Sequence, residues 1–221
     1  MKNTIHLVLD TPGANASKIL FDATRGDNPE PLFLHPENSS SDLSDWAFSE
    51  ENKIMNFSIE QKKSPTEVFL FLSLNISLAD QIEATLHTLR ERDDFTIGRF
   101  ILFIYSPILL DPPLGFQDWL DGVVHFTDVT LFTGRSNDNA SAIKMVQDRY
   151  KSMYYPMETY ILAKKNNPWA HILDSTPRRI SHVFDDPVLL EPEDLPENDR
   201  YLANLASGQR QKEIPQIFDQ S

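Results

Sequence analysis

The chain has 221 residues, 40% of them hydrophobic and 24% charged, with a formal net charge of −13 at pH 7. That length and composition suit one large domain with a buried core, or one domain and a long arm. The acidic balance argues against a general nucleic-acid binder, which needs Lys/Arg clusters to release counterions from phosphates, and it disfavours an anionic membrane surface.

Cysteine is absent, which excludes disulfides, thiolate metal ligation and a Cys nucleophile and fits a reducing compartment. Met1 to Asp10 carry one Lys and a short apolar run with no small-residue cleavage site after it, so no secretory signal is read there. The longest apolar run, Phe100 to Leu110, is broken by Ser106 and Pro107 and is too short to span a bilayer. The expectation is a cytoplasmic protein of bacterial type.

In chain order, Ile5 to Leu9 is an apolar strand ended by the turn Asp10-Thr11-Pro12-Gly13. Ser17 to Phe21 opens a helix or continues extended, Leu32 to Leu34 is a short strand, and 36–45 reads as a polar loop. Met55, Phe57 and Ile59 alternate with polar neighbours, the period of a strand with one wet face. Val68 to Leu72 is continuously apolar, as in a strand covered on both faces. Ser77 and Asp80 have capping-box spacing, and Leu78, Ile82, Leu86 and Leu89 follow along one helical face.

Phe100 to Tyr105 is the next buried strand, so a right-handed βαβ crossover links it to Val68–Leu72. Phe116, Trp119, Leu120 and Val123 suit a short helix that Gly122 weakens. Val129 to Phe132 is a further strand, Ile143 to Met153 a helix, and Glu158 to Ala163 a last strand. The fold class expected is α/β: three layers, with a mostly parallel sheet flanked by helices over residues 1–184. From Asp185 the texture changes, with nine acidic and three basic residues and repeated Pro. Residues 185–221 read as an extended acidic, Pro-rich C-terminal arm, with a short helix at Arg200 to Ala206.

Such sheets place ligands at the carboxyl ends of their strands. After the first strand, a phosphate-cradling loop would need glycines, a Lys and a Ser/Thr for magnesium. Lys18 falls at the Lys position, but Ser17 stands at the flanking Gly and Ile19 at the hydroxyl, leaving Gly13 alone to supply backbone freedom. The alternative is an ordinary strand-to-helix turn. Ser77 marks a capped helix start or, if its helix N-terminus faces a ligand, an anion site. In the loop after Phe132, Arg135 and Asp138 lie on the base side of such a site, or are solvated loop charges.

Arg178 and Arg179, near Lys164 and Lys165, form a basic spot on the acidic background; they contact an anion or a partner, or pair with acids such as Asp185 and Asp186. The six histidines show no paired ligand spacing, and no metal site is read.

Taken together, the order of elements, Ser73 to Asp80 and Thr127 to Arg135 resemble the P-loop GTPases of the CobW type. In that family a strand leads into a Gly-Leu-Ala-Asp-Pro-like turn, and a later Ala-Asp-Val-x-Leu-Leu-Asn-Lys run reads the base. Ser77-Leu78-Ala79-Asp80 and Asp128-Val129-Thr130-Leu131-Phe132 echo those runs, within a likeness spanning residues 4–165.

The resemblance implies a P-loop-NTPase-like fold, a GTP/Mg²⁺ site and a metal-handling role. The chain departs from the family at the Lys-Thr of the phosphate loop, at the Asn-Lys-x-Asp run and at the Cys-rich metal motif. The function expected is therefore a non-catalytic interaction module that has lost its nucleotide site and holds no cofactor. Its arm would dock on a protein partner or a second copy through apolar anchors such as Leu189, Tyr201, Leu202, Ile214 and Phe218. The alternative is a divergent GTP- or ATP-binding enzyme that keeps Lys18 as a phosphate ligand, with magnesium.

Overall fold

A strand that is apolar at every position needs cover on both faces, and the architecture supplies it. The computed structural model describes residues 2–27, 29–36, 46–49, 54–57, 67–90, 92, 94–163, 169–174, 176–186, 188 and 190–218. Ile59, Lys164, Lys165 and Leu189 lie outside the described residues. The six-stranded sheet contains β1 (Asn3–Asp10), β2 (Leu32–Leu34), β5 (Glu67–Phe71), β6 (Phe95–Tyr105), β7 (Val129–Thr133) and β8 (Glu158–Ile161). Their order is β2-β5-β1-β6-β7-β8, and every pairing is parallel. A separate antiparallel pair joins β3 (Trp46–Ser49) to β4 (Ile54–Phe57).

Alternation of side chains along each strand separates two core layers. Ile5, Leu7 and Leu9 join Leu70 and Leu102 beneath α2 (Leu78–Arg90), α3 (Phe116–Phe126) and α4 (Ala140–Ser152). On the other face, Val8 joins Phe69, Phe71, Ile101 and Phe103 beneath α1 (Ala16–Ala23) and the short α5 (Trp169–Ile172). The result is a three-layer α/β fold. Because β1 borders both β5 and β6, the winding reverses at β1, and the crevice at its carboxyl end is where sheets of this kind take ligands.

Two local expectations change. The helix continues through Gly122 to Phe126, and the missing side chain makes room for Ile214: a Cβ on Gly122 would lie 2.7 Å from Ile214 Cγ1. Arg200 to Ala206 forms turns in place of a helix. The Asp199 carboxylate accepts the Tyr201 N–H at 2.9 Å, and Gln211 N–H returns to Ala203 O at 2.9 Å, so the chain folds back before a second helical turn can form.

The acidic arm has little regular structure, and most of the apolar anchors expected to dock on a partner pack instead on the core of the preceding sheet and helices, while Val188 and Leu205 stay exposed. Tyr201, Leu202 and Ala203 are buried, and Ile214, Ile217 and Phe218 pack against the same cluster. Phe218 meets Trp119 of α3 edge-on, with ring centroids 5.0 Å apart. Arg210 ties the arm to α2 through Asp80 at 2.7 Å and Glu83 at 2.5 Å. No helix among the described residues is long and apolar enough to cross a membrane.

Candidate functional site

The loop after β1 closes on itself. Ala14 N–H donates to Thr11 O at 3.0 Å, Gly13 has φ 86°, and Asn15, at φ 57°, donates its side-chain amide to Gly13 O at 3.0 Å. With Lys18 placed on the lysine of a phosphate loop, Pro12 and Ser17 occupy its two glycine positions. Pro12 has no N–H to offer a phosphate. The first amide of α1, on Ala16, already donates to Asp10 Oδ2 at 3.3 Å, so a carboxylate of the chain sits where an anionic ligand would be expected. Burial raises the Asp10 pKa above its ordinary value, against the opposing effect of that hydrogen bond.

Lys18 points outward along the helix surface: it pairs with Asp22 at 2.6 Å, and its side chain is 75% exposed. Ile19, at the magnesium-hydroxyl position, packs against the core beneath α1. Ser17 turns instead to His35, with Oγ 3.3 Å from Nε2.

Tyr105, which ends β6, was legible in the sequence only as the last residue of a strand. Its ring lies between the loops after β1 and β7. A Cβ on Gly13 would be 2.8 Å from Tyr105 Cδ1, and one on Gly134 only 2.6 Å from Cε2. Both glycines have positive φ, so their conformation as well as their size suits this approach. Tyr105 N–H is held by Thr11 Oγ1 at 2.8 Å, which fixes the strand end against the same loop.

The loop after β7 is organised by Asn139, another residue that sequence reasoning passed over. Its side chain accepts from Ser136 N–H at 2.8 Å and donates to Gly134 O at 3.0 Å. Arg135 and Asp138 are exposed on this loop.

At the start of α2, Ser77 Oγ accepts the Asp80 N–H at 3.4 Å, the cap half of the expected box. The buried Gln81 side chain holds the approach, accepting from Ser73 N–H at 2.7 Å and donating to the carbonyls of Ser73 and Ile76. Ser77 does not join Ser17 and Lys18: the cleft of about 610 Å³ beside α1 is walled by Asp10, Ser17, Lys18, Phe33, His35 and Phe71, among others, but not by Ser77.

Arg178 and Arg179 lie at the opposite, amino end of the sheet. Arg179 is buried, paired with Asp128 at 2.9 Å and with Asp185 at 2.7 Å, and Arg178 pairs with Glu158 at 3.3 Å. Asp128, an echo residue of the base-reading run, is fully buried and accepts the N–H groups of Phe100 at 2.8 Å and Arg178 at 2.6 Å.

Arg99 joins this cluster through an irregularity in β6. Register shifts between Ile5↔Ile97 and Leu7↔Phe100, so β6 carries one extra residue. The shift lets Arg99 N–H donate to His6 Nδ1 at 3.1 Å and sets the fully buried guanidinium against the carbonyls of Asp174 and His171. Gly98 is required there, since a Cβ would meet His6 at 2.7 Å. Among the described residues, no group of three or more His, Asp or Glu is placed to hold a metal ion.

No protein-family model matches the sequence, and no curated protein matches it. One solved structure, that of the Zn(II)-bound YjiA GTPase from E. coli, is similar with a TM-score of 0.51 and 10% identity, covering 88% of this chain and 69% of the other. The chain therefore bears a distant resemblance to CobW-type P-loop GTPases, one that concerns the fold alone.

Proposed function

We propose that this chain has given up nucleotide hydrolysis and works in the cytoplasm as a protein-interaction module on a P-loop-like fold, without a cofactor. The observation that carries the reading is the Tyr105 ring between Gly13 and Gly134, in the crevice where a ligand would lie. The Asp10 charge at the first amide of α1, Pro12 in the loop and the outward Lys18–Asp22 pair support it from separate directions. A bound nucleotide would have to displace the ring and overcome that carboxylate.

The arm is the part proposed to meet a protein partner or a second copy of the chain. Most of its apolar anchors are seated on the chain's own core, and its exposed residues include Glu191, Glu193 and Glu197, which suits a basic surface.

Titration calorimetry with GTP and ATP plus magnesium tests the reading, with no heat at millimolar ligand as the expected result. Saturable binding that Lys18→Ala abolishes would establish the rival reading instead, a divergent nucleotide-binding enzyme. That rival draws on the likeness to a GTPase fold.

A further inference from the structure

The cleft beside α1 holds a pair of residues that the reading above leaves without a role. Ser17 and His35 come from separate segments, yet Ser17 Oγ and His35 Nε2 are 3.3 Å apart, within reach of proton transfer. The His35 ring is stacked on Phe71, with centroids 4.5 Å apart and planes inclined by 20°, and this holds the imidazole face in place. We propose that Ser17 and His35 form a nucleophile–base pair that cleaves small neutral esters with an apolar acyl group, in the cleft of about 610 Å³ walled by Phe21, Phe33, Phe71 and Leu72.

The local architecture suits the chemistry. Ser17 lies in the first turn of α1, directly after the strand-and-turn of β1. A helix leaves its first amides without intrahelical acceptors, so the N–H groups of Ser17 and Lys18 can meet the oxygen on which charge develops. The volume is that of a small-molecule site, and its aromatic walls fit an acyl chain or ring. Asp10 borders the same cleft and repels phosphates and carboxylates, which selects a neutral substrate over an anionic one.

In the reaction, Ser17 Oγ attacks the carbonyl carbon while His35 Nε2 takes the hydroxyl proton, with the other imidazole proton on Nδ1. The ester C–O bond then breaks, and the departing alcohol leaves with the proton that Nε2 took from Ser17. A water molecule attacks the acyl-Ser17 carbonyl, giving a proton to His35 Nε2; the acyl–Oγ bond then breaks, Oγ takes that proton back, and the carboxylic acid is released. Water is the only co-reactant.

The inference goes beyond the proposed function and can fail without it, since it concerns ester cleavage and not nucleotide binding. A fluorophosphonate probe on the whole protein, read by peptide mass spectrometry, is expected to modify Ser17. Hydrolysis of p-nitrophenyl butyrate should fall about 100-fold in both Ser17→Ala and His35→Ala. Ser17→Cys creates the only thiol in the chain, and its alkylation by iodoacetamide at pH 6.5 should slow several-fold when His35→Ala is added. No probe on Ser17, hydrolysis unchanged in Ser17→Ala, or thiol reactivity indifferent to His35 would each overturn the assignment.

Discussion

Tyr105 stands against Gly13 so closely that one additional carbon on the glycine would lie 2.8 Å from the ring. The two residues are 92 positions apart by number, and their contact joins the end of β6 to the loop after β1. Gly13→Ala therefore meets two penalties, a φ of 86° that an L-residue resists and a clash with the ring. Together these cost about 2–4 kcal/mol. In a Tyr105→Ala background the clash disappears and only the backbone penalty remains. A double-mutant cycle by urea denaturation should show Gly13→Ala costing about 1 kcal/mol or more less in that background. Equal costs in both would mean that the ring does not fill the crevice.

Much of the sheet was legible in advance because local chemistry dictates it. The continuous apolar runs Val68–Leu72 and Phe100–Tyr105 are buried strands, and the Ser77 cap starts α2 where its spacing demands. The features that decide the site were not legible, because each depends on partners far apart in the chain. Tyr105 looks like an ordinary strand end until two distant glycines are brought to its faces. Arg99 looks like a charge at a strand margin until a one-residue slip turns it inward. Tyr201 and Phe218 were legible as apolar anchors of the arm, but not that they seat on the chain's own core in place of a partner, because that depends on residues of distant helices. The basic spot split as well: pairing with Asp185, the plainer of its two readings, is what Arg179 does.

Asp10 tests the electrostatics of the crevice. Burial raises its pKa, so the folded state holds the proton more tightly than the unfolded chain. Its stabilising effect is complete below the ordinary carboxylate value and is lost as pH rises through the raised one. Asp10→Asn keeps an oxygen for the Ala16 N–H and removes the charge. The variant should melt higher than the parent at pH 8, and the gain should vanish near pH 3, where both side chains are neutral. A gain that persists at pH 3 would mean that charge is not its source.

Asp128 and Lys18 give opposite expectations for two ion pairs of similar geometry. Asp128 is fully buried and serves Arg179 and two backbone N–H groups, whereas Lys18–Asp22 is exposed to solvent. Asp128→Ala leaves the buried Arg179 with only Asp185 and takes the acceptor from the Phe100 and Arg178 N–H groups, so it should lose about 3–5 kcal/mol. Lys18→Ala should lose less than about 0.5 kcal/mol. Chemical denaturation of the two variants separates these cases, and a large loss on Lys18→Ala would show a contact other than Asp22.

His6 should make the fold sensitive to mild acid. It is fully buried, and burial first and the Arg99 charge second lower its pKa to about 4 from an ordinary 6.5. The unfolded chain therefore binds a proton that the folded chain refuses. Stability is at its full value above about 6.5 and falls as pH drops toward 4, by roughly 3 kcal/mol across that window. His6→Phe leaves the Arg99 N–H without its acceptor and should cost about 1–3 kcal/mol at pH 8. The same variant should flatten the pH dependence between 6.5 and 5, where few carboxylates titrate. A slope unchanged in that interval would assign the acid sensitivity to another group.

The arm should detach in acid by a separate route. Asp199 receives His125 Nε2 and the Ser181 hydroxyl, each at 2.7 Å, beside the Tyr201 N–H. Burial pushes its carboxyl upward, but the hydrogen bonds and the His125 interaction outweigh that and leave the pKa below its ordinary value. A depressed carboxyl stabilises above its unfolded pKa, and that contribution is lost as pH falls through the folded one. Amide exchange at 201–203 should therefore accelerate below about pH 4 ahead of exchange in β6. Asp199→Ala should bring the fast exchange to pH 7 and lower global stability by about 3 kcal/mol, because His125 and Ser181 lose their shared acceptor inside the protein. Since Arg210 still holds the arm to Asp80 and Glu83, exchange beyond residue 211 should respond less than at Tyr201. Uniform acceleration along the whole arm would instead show that Asp199 is its sole anchor.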